Sequence, residues 1–424
     1  CTMKHNPRLN EKIARLPGFA QIHPLQPTST CQGALELIYD LQEWLKDLTG
    51  LPGVTLAPAA GAHGELTGMM MIKKAHEEKG NPRKVVLVPD SAHGTNPATA
   101  ATCGYTTVTI PSANGLVNMA EFEKAIKTHG EDIAAFMLTN PNTCGLFEPN
   151  VIKISKRLRE IGAYFYCDGA NFNAIVGKVK PGDLGVDVMQ LNLHKTFSTP
   201  HGGGGPGCGP LVVSEKLMAY LPVPKVVQNN NEYALVTTDP ASIGRIKAFH
   251  GHFGMMVRAL SYMKSHGING LQKVAEDAVL NANYVLTALR GPYRAPYNDE
   301  HTPCMHECLL NDREQKDNGI STMDIAKGLL DRGFHPMTVY FPLVTQGAML
   351  IEPTETENKT TLDKFITAML DIAKQAKANP ADLHKAPVTT PRKRLDEVQA
   401  AKFPVLTWQD EQTKHPPQKQ KESA

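Results

Sequence analysis

The sequence predicts an α/β fold with a mostly parallel central sheet, followed by a smaller C-terminal α+β domain. From residue 85 onward, short runs of consecutive apolar residues alternate with segments of helical periodicity. Strands that are apolar throughout and separated by helices are typical of a parallel sheet covered on both faces. After about residue 300 the alternation starts again on a smaller scale, and a chain of 424 residues is long enough for two cores.

The individual elements follow from periodicity and from the residues that end them. In the first expected helix, Leu37, Leu41 and Leu45 recur on one face, and Gly50 and Pro52 end it. The expected helices are 31–48, one that begins near residue 65, 96–102, 119–128, 151–161, 243–263, 275–289, 323–332 and 362–376. The expected strands are 85–88, 106–110, 134–139, 164–167, 188–193, 210–213, 304–310, 339–341 and 349–352. Because ligands bind at the carboxyl ends of parallel strands, we expect a site where these strands end.

Composition divides the chain into four parts: an extended N-terminal arm at 1–30, a large domain at 31–300, a small domain at 301–380 and a tail at 381–424. The arm is rich in Pro, Asn and Thr with little periodicity, and we expect it to wrap over another surface. The tail is rich in Pro, Lys and Gln and is predicted to be partly disordered. Because the chain begins with Cys1 rather than methionine, we also expect further residues upstream.

Charge and cysteine content exclude several classes of function. The formal net charge is +2, which gives no electrostatic basis for binding nucleic acid or an anionic membrane. Eight scattered cysteines without a CxxC pair are typical of a reduced, cytoplasmic protein. Cys304, His306 and Cys308 resemble a metal-binding pattern, but they lie in an apolar strand-like run without a second group of ligands. We therefore expect no metal site.

Residues 188–210 form the stretch around which the site is expected. An apolar run at 188–193 leads to His194 and Lys195, and a glycine-rich segment follows. Burial at the end of a strand disfavours a charged lysine, and a neutral amine is a nucleophile. The simplest partner for such an amine is an aldehyde cofactor in Schiff-base linkage. The alternative is a lysine that reaches solvent before a loose surface loop.

Residues at other strand ends fit the same cofactor. Asp168 can hold a proton on a pyridine nitrogen and so keep the ring of pyridoxal phosphate an electron sink. Ala170 is small enough for the ring to lie on it, and His93 can cover the other face. Backbone N–H groups at the start of the next helix can bind the phosphate, namely those of Gly61, Ala62 and His63. Each residue also has a structural explanation, such as a turn carboxylate, but together they fit one pyridoxal-phosphate site.

Several stretches of the chain resemble the glycine dehydrogenase (decarboxylating) family, the P-proteins of the glycine cleavage system. Within that family they are similar to subunit 2 of the two-subunit bacterial form. The matching stretches are CTMKHNP at 1–7, AGAHGE at 60–65, PDSAHGTNP at 89–97, TNPNT at 139–143, DGAN at 168–171, LNLHKTFSTPHGGGGPG at 191–207 and IEPTETE at 351–357. They extend over nearly the whole chain to about residue 376, and the stretch around Lys195 is the most specific.

The resemblance implies the aminotransferase-like fold type I and pyridoxal phosphate bound to Lys195. It implies decarboxylation of glycine, with the aminomethyl group passed to the lipoyl arm of the H-protein. Among the neighbouring residues, His194 is a candidate proton shuttle, and Asn192 and Thr196 are candidate phosphate contacts. No arginine occupies a motif that would bind the glycine carboxylate. Two further residues are candidates for that contact, Asn140 and Thr338.

The resemblance also implies partners and leaves alternatives. Subunit 1 would complete a heterotetramer in the cytoplasm, with the extended arm at 1–30 as a subunit contact. The glycines at 202–207 either line the passage of the lipoyl arm or form a plain mobile loop. The competing functions are another fold type I aminotransferase or amino-acid decarboxylase, and a non-catalytic subunit. A P-loop is excluded, because the glycine run follows the lysine and contains no GlyLysSer or GlyLysThr.

Overall fold

The computed structural model describes residues 2–202 and 206–409. The helices are α1 Arg8–Ala14, α2 Pro17–Ala20, α3 Gln32–Thr49, α4 Gly61–Glu78, α5 Thr95–Thr102, α6 Met119–His129, α7 Val151–Glu160, α8 Leu193–Thr196, α9 Phe253–Leu289, α10 Arg313–Lys316, α11 Thr322–Leu330, α12 Lys359–Ala378, α13 Pro380–Lys385 and α14 Glu397–Lys402. The strands are β1 Gly53–Thr55, β2 Val85–Pro89, β3 Thr106–Ile110, β4 Ser112–Ala113, β5 Leu116–Val117, β6 Ile133–Thr139, β7 Tyr164–Gly169, β8 Val188–Leu191, β9 Leu211–Val213, β10 Lys225–Asn229, β11 Glu232–Val236, β12 Cys308–Asn311, β13 Thr338–Val339 and β14 Ala348–Ile351.

Seven strands form the central sheet, in the order β1-β9-β8-β7-β6-β2-β3. The pairs β8–β7, β7–β6, β6–β2 and β2–β3 are parallel, and β9 runs antiparallel to both of its neighbours. All seven residues of β6 and all six of β7 are buried, as expected for strands covered by helices on both faces. One apolar core lies on each face of the sheet. The predicted mostly parallel sheet is confirmed.

The register of the sheet brings three polar side chains to one edge. Thr139 at the end of β6 is paired with Asp168 on β7, and Asp168 is paired with Gln190 on β8. Because these strands are parallel, their carboxyl ends open on the same side of the sheet. This edge is where the candidate site lies.

A second, smaller core surrounds the antiparallel sheet β12-β14-β13. It is built from the second half of α9, the strands of this sheet, and α11 and α12. Tyr293 is fully buried within it and donates a hydrogen bond to the Met369 carbonyl at 2.8 Å. The exact division of the chain into domains stays a prediction. Among the described residues, no helix combines the length and the apolarity that a membrane crossing requires.

Two expected boundaries near the site were wrong. The strand predicted at 188–193 ends at Leu191, where its parallel pairing with Gly169 on β7 also ends. The next residues form the short helix α8, so Lys195 lies on a helical turn rather than on a strand. The helix expected to begin near Glu65 begins at Gly61, where the extended backbone of Ala60 ends.

Three further expectations about the extent or presence of helices and strands were wrong. Residues 243–252 are not helical, and α9 begins at Phe253 and continues to Leu289 across a non-helical Gly267. The strand expected at 304–310 begins only at Cys308, since the preceding residues have no strand partner on β14. The N-terminal arm is not simply extended, because it contains α1 and α2, which both pack on α9. Glu11 of α1 forms an ion pair with Arg258 at 2.7 Å, and Phe19 of α2 meets the ring of Phe253.

Candidate active site

A cavity of about 500 Å³ opens at the carboxyl edge of the central sheet. It receives residues from α4, the loop before α5, the ends of β7 and β8, α8 and the small antiparallel sheet. The sequence-predicted residues that line it are Gly61, Ala62, His93, Asp168, Ala170, Asn192, Lys195 and Thr338. Residues more than 270 positions apart in the chain therefore meet in one space, as the expected site required.

Lys195 enters the cavity from α8, whose position is fixed from both sides. Its backbone N–H donates to the Asn192 carbonyl at 3.0 Å, which closes the helical turn. The carbonyl of Thr196 accepts a hydrogen bond from the Nζ of Lys4 at 2.9 Å. Lys4 is fully buried, so the N-terminal segment supports the helical turn that carries Lys195.

Asp168 is held by donors from three directions. Its Oδ1 accepts from the backbone N–H of Ala170 at 3.0 Å and from the Nε2 of Gln190. Its Oδ2 accepts from the Nδ2 of Asn96 at 3.2 Å. The hydroxyl of the buried Tyr166 donates to Gln190, which fixes the amide that faces Asp168. A carboxylate surrounded by donors keeps one orientation, so its charge faces the cavity at a fixed place.

The N-terminus of α4 forms part of the cavity wall and is suited to binding an anion. The first N–H groups of a helix have no acceptor within the helix, and the helix dipole favours negative charge there. A Cβ on Gly61 would lie 2.3 Å from the Nδ2 of Asn192, so the missing side chain lets Asn192 lie directly against the start of α4. Nearby, a Cβ on Gly209 would lie 2.0 Å from the carbonyl oxygen of Ala60, so the chain leaving Lys195 runs directly against the chain entering α4.

His93 stands at the open side of the cavity, in the loop between β2 and α5. Its Nδ1 accepts a hydrogen bond from the backbone N–H of Thr95 at 3.2 Å. Its ring meets Phe341 edge-on, with 5.7 Å between the ring centroids. These two contacts fix an imidazole ring at the cavity wall, where it can cover a flat ligand.

Glu65 is a site residue that the sequence reasoning missed. It lies one helical turn after Gly61 on the same face of α4, it is 1% exposed, and it accepts from the Thr95 hydroxyl at 3.2 Å. Burial, and after it the charge of Asp168, raises the pKa of Glu65 to about 7. The sequence signal that could have identified Glu65 is a carboxyl group four residues after the glycine at which the helix begins. Gln190 was missed as well, because an apolar strand gives no sign that one polar side chain faces a site.

The chain matches known proteins over most of its length. The family model for the C-terminal domain of glycine dehydrogenase matches residues 274–389, and the aminotransferase class-V model matches residues 66–228. The probable glycine dehydrogenase (decarboxylating) subunit 2 of Caulobacter vibrioides is 58% identical over 416 residues, which are 96% of this chain and 78% of the relative. The protein of the same name from Listeria monocytogenes is 53% identical over 413 residues, 97% of this chain and 83% of the relative. The chain belongs to the glycine dehydrogenase (decarboxylating) subunit 2 family.

Solved structures confirm the fold of this family member. A crystal structure of glycine decarboxylase, the P-protein of the glycine cleavage system, has a TM-score of 0.74 at 20% identity and covers 88% of this chain and 84% of that one. A cysteine desulfurase from Thermococcus onnurineus has a TM-score of 0.66 at 15% identity, covering 88% of this chain and 93% of that one. The prediction of the aminotransferase-like fold type I, and of a pyridoxal-phosphate enzyme of glycine cleavage, is confirmed.

The cavity of this glycine dehydrogenase family member fits pyridoxal phosphate. It offers an amine, a fixed carboxylate and a helix N-terminus for the phosphate. Polar atoms in its walls are also buried without a hydrogen-bond partner within the described part of the chain, namely Glu65 Oε1, Thr139 Oγ1 and Asn192 Oδ1. Unpartnered buried polar atoms are costly, and a polar ligand in this cavity would satisfy them.

The structure does not bring four of the predicted residues to the cavity wall. His194 points away and meets His201 edge-on, with 5.0 Å between the ring centroids. Burial, and after it the charges of His201 and Lys195, lowers the pKa of His194 to about 4. Thr196 is 1% exposed on the far side of α8, where its carbonyl is held by Lys4.

The other two are His63 and Asn140. His63 lies in the first turn of α4, and its Nδ1 accepts from the backbone N–H of Ala59 at 3.1 Å. Burial lowers the pKa of its imidazole. Asn140 is 3% exposed, and its Oδ1 accepts from the backbone N–H of Glu148 at 2.9 Å. It supports the loop after β6, and its role toward substrate stays a prediction.

Two other sequence features are placed as follows. Residues 203–205 of the glycine run 202–207 lie outside the described residues, so its suggested role in the lipoyl passage stays a prediction. Cys304 and Cys308 belong to the second apolar core, whereas His306 lies beside Glu307 and Glu352. The cysteines and the histidine of this stretch therefore do not converge on one point.

Proposed function

We propose that this chain decarboxylates glycine with pyridoxal phosphate and passes the aminomethyl group to the lipoyl arm of an H-protein. The observation that carries the proposal is the convergence of Lys195, Asp168 and the α4 N-terminus on one cavity in a member of this family. When bound, pyridoxal phosphate supplies an electron sink for the electron pair that departing CO₂ leaves behind.

Each wall of the cavity has a defined task in this proposal. The amine of Lys195 would hold the cofactor covalently, and the carboxylate of Asp168 would keep a proton on the pyridine nitrogen. The N–H groups that open α4, together with Asn192, would bind the phosphate. His93 and Ala170, which also line the cavity, would cover the ring.

The cavity is suited to a small substrate whose carboxylate must leave. Among the described residues, no arginine lines it, whereas the threonines 139, 143 and 338 do. Hydroxyl groups bind a carboxylate more weakly than a guanidinium does, and a weakly held carboxylate loses less binding energy when it departs as CO₂. We propose that Thr338 contacts the glycine carboxylate.

The partners follow from the family. We propose that the chain assembles with a subunit 1 into a heterotetramer in the cytoplasm, because its relatives are named subunit 2. The cysteines at 31, 103, 144, 167, 208, 304 and 308 are all free, which suits a reducing compartment. Co-purification of the two subunits, with the mass measured by light scattering, tests the assembly; a chain that stays separate from subunit 1 would refute it.

Replacement of Lys195 by alanine tests the reaction. The wild-type complex should exchange labelled CO₂ into glycine only when H-protein is present, and borohydride should attach the cofactor to Lys195. Lys195→Ala should abolish both, whereas the exposed control Lys273→Ala should leave both unchanged. Exchange that does not depend on H-protein favours another fold type I decarboxylase. A chain that fails to bind the cofactor favours a non-catalytic subunit.

A further inference from the structure

Three buried titratable side chains next to the cavity have no task in the reaction described so far. His306, Glu307 and Glu352 form what we call the buried triad, in which one nitrogen or oxygen of each residue lies within 4.8 Å of the others. The Nε2 of His306 is 3.8 Å from the Oε1 of Glu352. Their side chains are almost fully buried, yet Glu307 also lines the cavity into which Lys195 projects.

The small antiparallel sheet places the triad at this point. Cys308 on β12 is paired with Ile351 on β14, so the residues just outside this pair, Glu307 and Glu352, meet at the end of the sheet. Residues 304–307 are irregular, so His306 and Glu307 do not alternate as they would on a strand. Both can therefore face Glu352.

Burial makes this arrangement costly unless protons are shared. Two carboxylates that lie together in a low-dielectric site do not both ionise easily. Burial raises the pKa of the Glu307 carboxyl, and the positive charges of His306 and Lys195 act in the opposite direction. Both ring nitrogens of His306 lack a hydrogen-bond partner among the described residues. The triad therefore contains a carboxyl suited to gaining and losing a proton, and a ring that is free to exchange one with it.

The surrounding charges favour a proton over a metal ion. Glu355 lies beyond Glu352 and is paired with the buried Lys4 at 2.8 Å. Three carboxylates, at 307, 352 and 355, thus face two lysines, Lys4 and Lys195, and one imidazole. Lys4 and Lys195 already supply positive charge next to these carboxylates, which disfavours a further divalent cation. Among the described residues, the other titratable groups facing Glu307 are the thiols of Cys144, Cys304 and Cys308.

We propose that Glu307 is the base that accepts the proton of the incoming amino group, and that His306 and Glu352 are positioning residues that exchange this proton with it. The inference rests on the proposed function. Glycine arrives with a protonated amine, which is not a nucleophile. An N–H bond breaks, an O–H bond forms on Glu307, and the electron pair stays on the nitrogen. The same proton can then pass to the amine of Lys195 when that amine is set free.

Rapid mixing of glycine with the pyridoxal-phosphate-loaded complex tests the proposal. The rate of the change in visible absorbance should fall at acid pH in the wild type, where Glu307 holds its proton. Glu307→Gln should slow this change about 100-fold at neutral pH, since a positioned base accelerates a reaction by about 10² or more. It should also remove the fall in rate at acid pH, which is the acid limb of the pH–rate profile. Glu307→Asp should restore part of the rate. The control is Glu357→Gln, because Glu357 pairs with His5 at the surface, 3.3 Å away.

A second variant separates a proton role from a structural one. His306→Asn removes the cation that lowers the pKa of Glu307, so the acid limb should move to higher pH by about one unit while the plateau rate is kept. An unmoved limb, or a Glu307→Gln rate within twofold of the wild type, would overturn the proposal. So would one divalent metal ion per chain in elemental analysis that disappears in Glu307→Gln. Absence of any absorbance change in the wild type would refute the proposed function instead.

Discussion

At the scale of single residues, two carboxyl groups share the floor of the cavity. The pKa of Glu65 is raised to about 7 by burial and by Asp168, from an ordinary value of 4.5. At a pH between these two values, Glu65 keeps its proton in the folded protein, whereas in the unfolded chain it has lost it. The stabilisation from this group is therefore complete below about pH 4.5 and is lost as the pH rises through 7.

Glu65→Gln should remove this pH dependence, because glutamine has the same shape and no charge. In the wild type without cofactor, the free energy of unfolding should fall by roughly 2–3 kcal/mol between about pH 5 and pH 8 through this group alone. In Glu65→Gln that fall should be absent. Urea denaturation at the two pH values measures it, with the exposed Glu77→Gln on the same helix as the control. Equal pH dependence in the wild type and Glu65→Gln would contradict the assignment.

At the scale of secondary-structure elements, the long helix α9 depends on one backbone position. Gly267 has φ 62° and ψ −178°, a conformation that is open essentially only to glycine. No atom lies within 4 Å of the place where a Cβ would be. The need for glycine at this position therefore comes from the backbone conformation and not from side-chain packing. On both sides of the break α9 packs on the large core, up to Ala275, and only its last residues, from Ala282 on, pack on the small core.

Gly267→Ala should lower the free energy of unfolding by about 1–3 kcal/mol, the cost of forcing a Cβ into this region. Gly33→Ala is a matched control, because Gly33 also has open space around it but lies within α3 with a negative φ. That variant should be neutral or more stable by up to about 1 kcal/mol. The midpoints of chemical denaturation compare the two, and an unaffected Gly267→Ala would show that α9 can straighten.

The elements themselves were largely predictable, because apolar periodicity records which face of a segment is buried. The helix predicted at 119–128 is α6, and the strand predicted at 106–110 is β3 without change. The strand end before Lys195 was not predictable, since it depends on where β7 stops pairing with β8. Lys195, Asp168 and the start of α4 could be identified from strand ends and glycines. Glu65, Gln190 and Glu307 could not, because their place depends on elements that meet only in the folded chain.

At the scale of the whole molecule, Lys4 joins parts of the protein that are far apart in sequence. Its buried Nζ donates to Asn173 at 2.7 Å and to the Thr196 carbonyl, and it is paired with Glu355 from the segment after β14. The N-terminal segment was expected to contact another subunit. That contact stays a prediction, and within the chain the first residues connect the Lys195 turn with the segment after β14.

Removal of either partner of the Lys4–Glu355 pair should destabilise the protein by about 3–5 kcal/mol, since the remaining charge is left buried and unpaired. The double variant Lys4→Ala/Glu355→Ala should lose at least about 1 kcal/mol less than the sum of the single variants. The exposed pair Lys273–Asp277 serves as the control cycle, with an expected coupling below about 0.5 kcal/mol. Additive effects at Lys4 and Glu355 would show that the pair is not a unit.

The contact between Gly209 and Ala60 has a consequence for how this protein can change. At that contact two stretches of main chain touch without side chains between them, one leaving the lysine and one entering the phosphate seat. Because no side chain lies between these two stretches, a larger residue on one side cannot be accommodated by a smaller residue on the other. A side chain added at Gly209 would therefore force the stretch that follows Lys195 away from the start of α4 and change the distance between the two halves of the site.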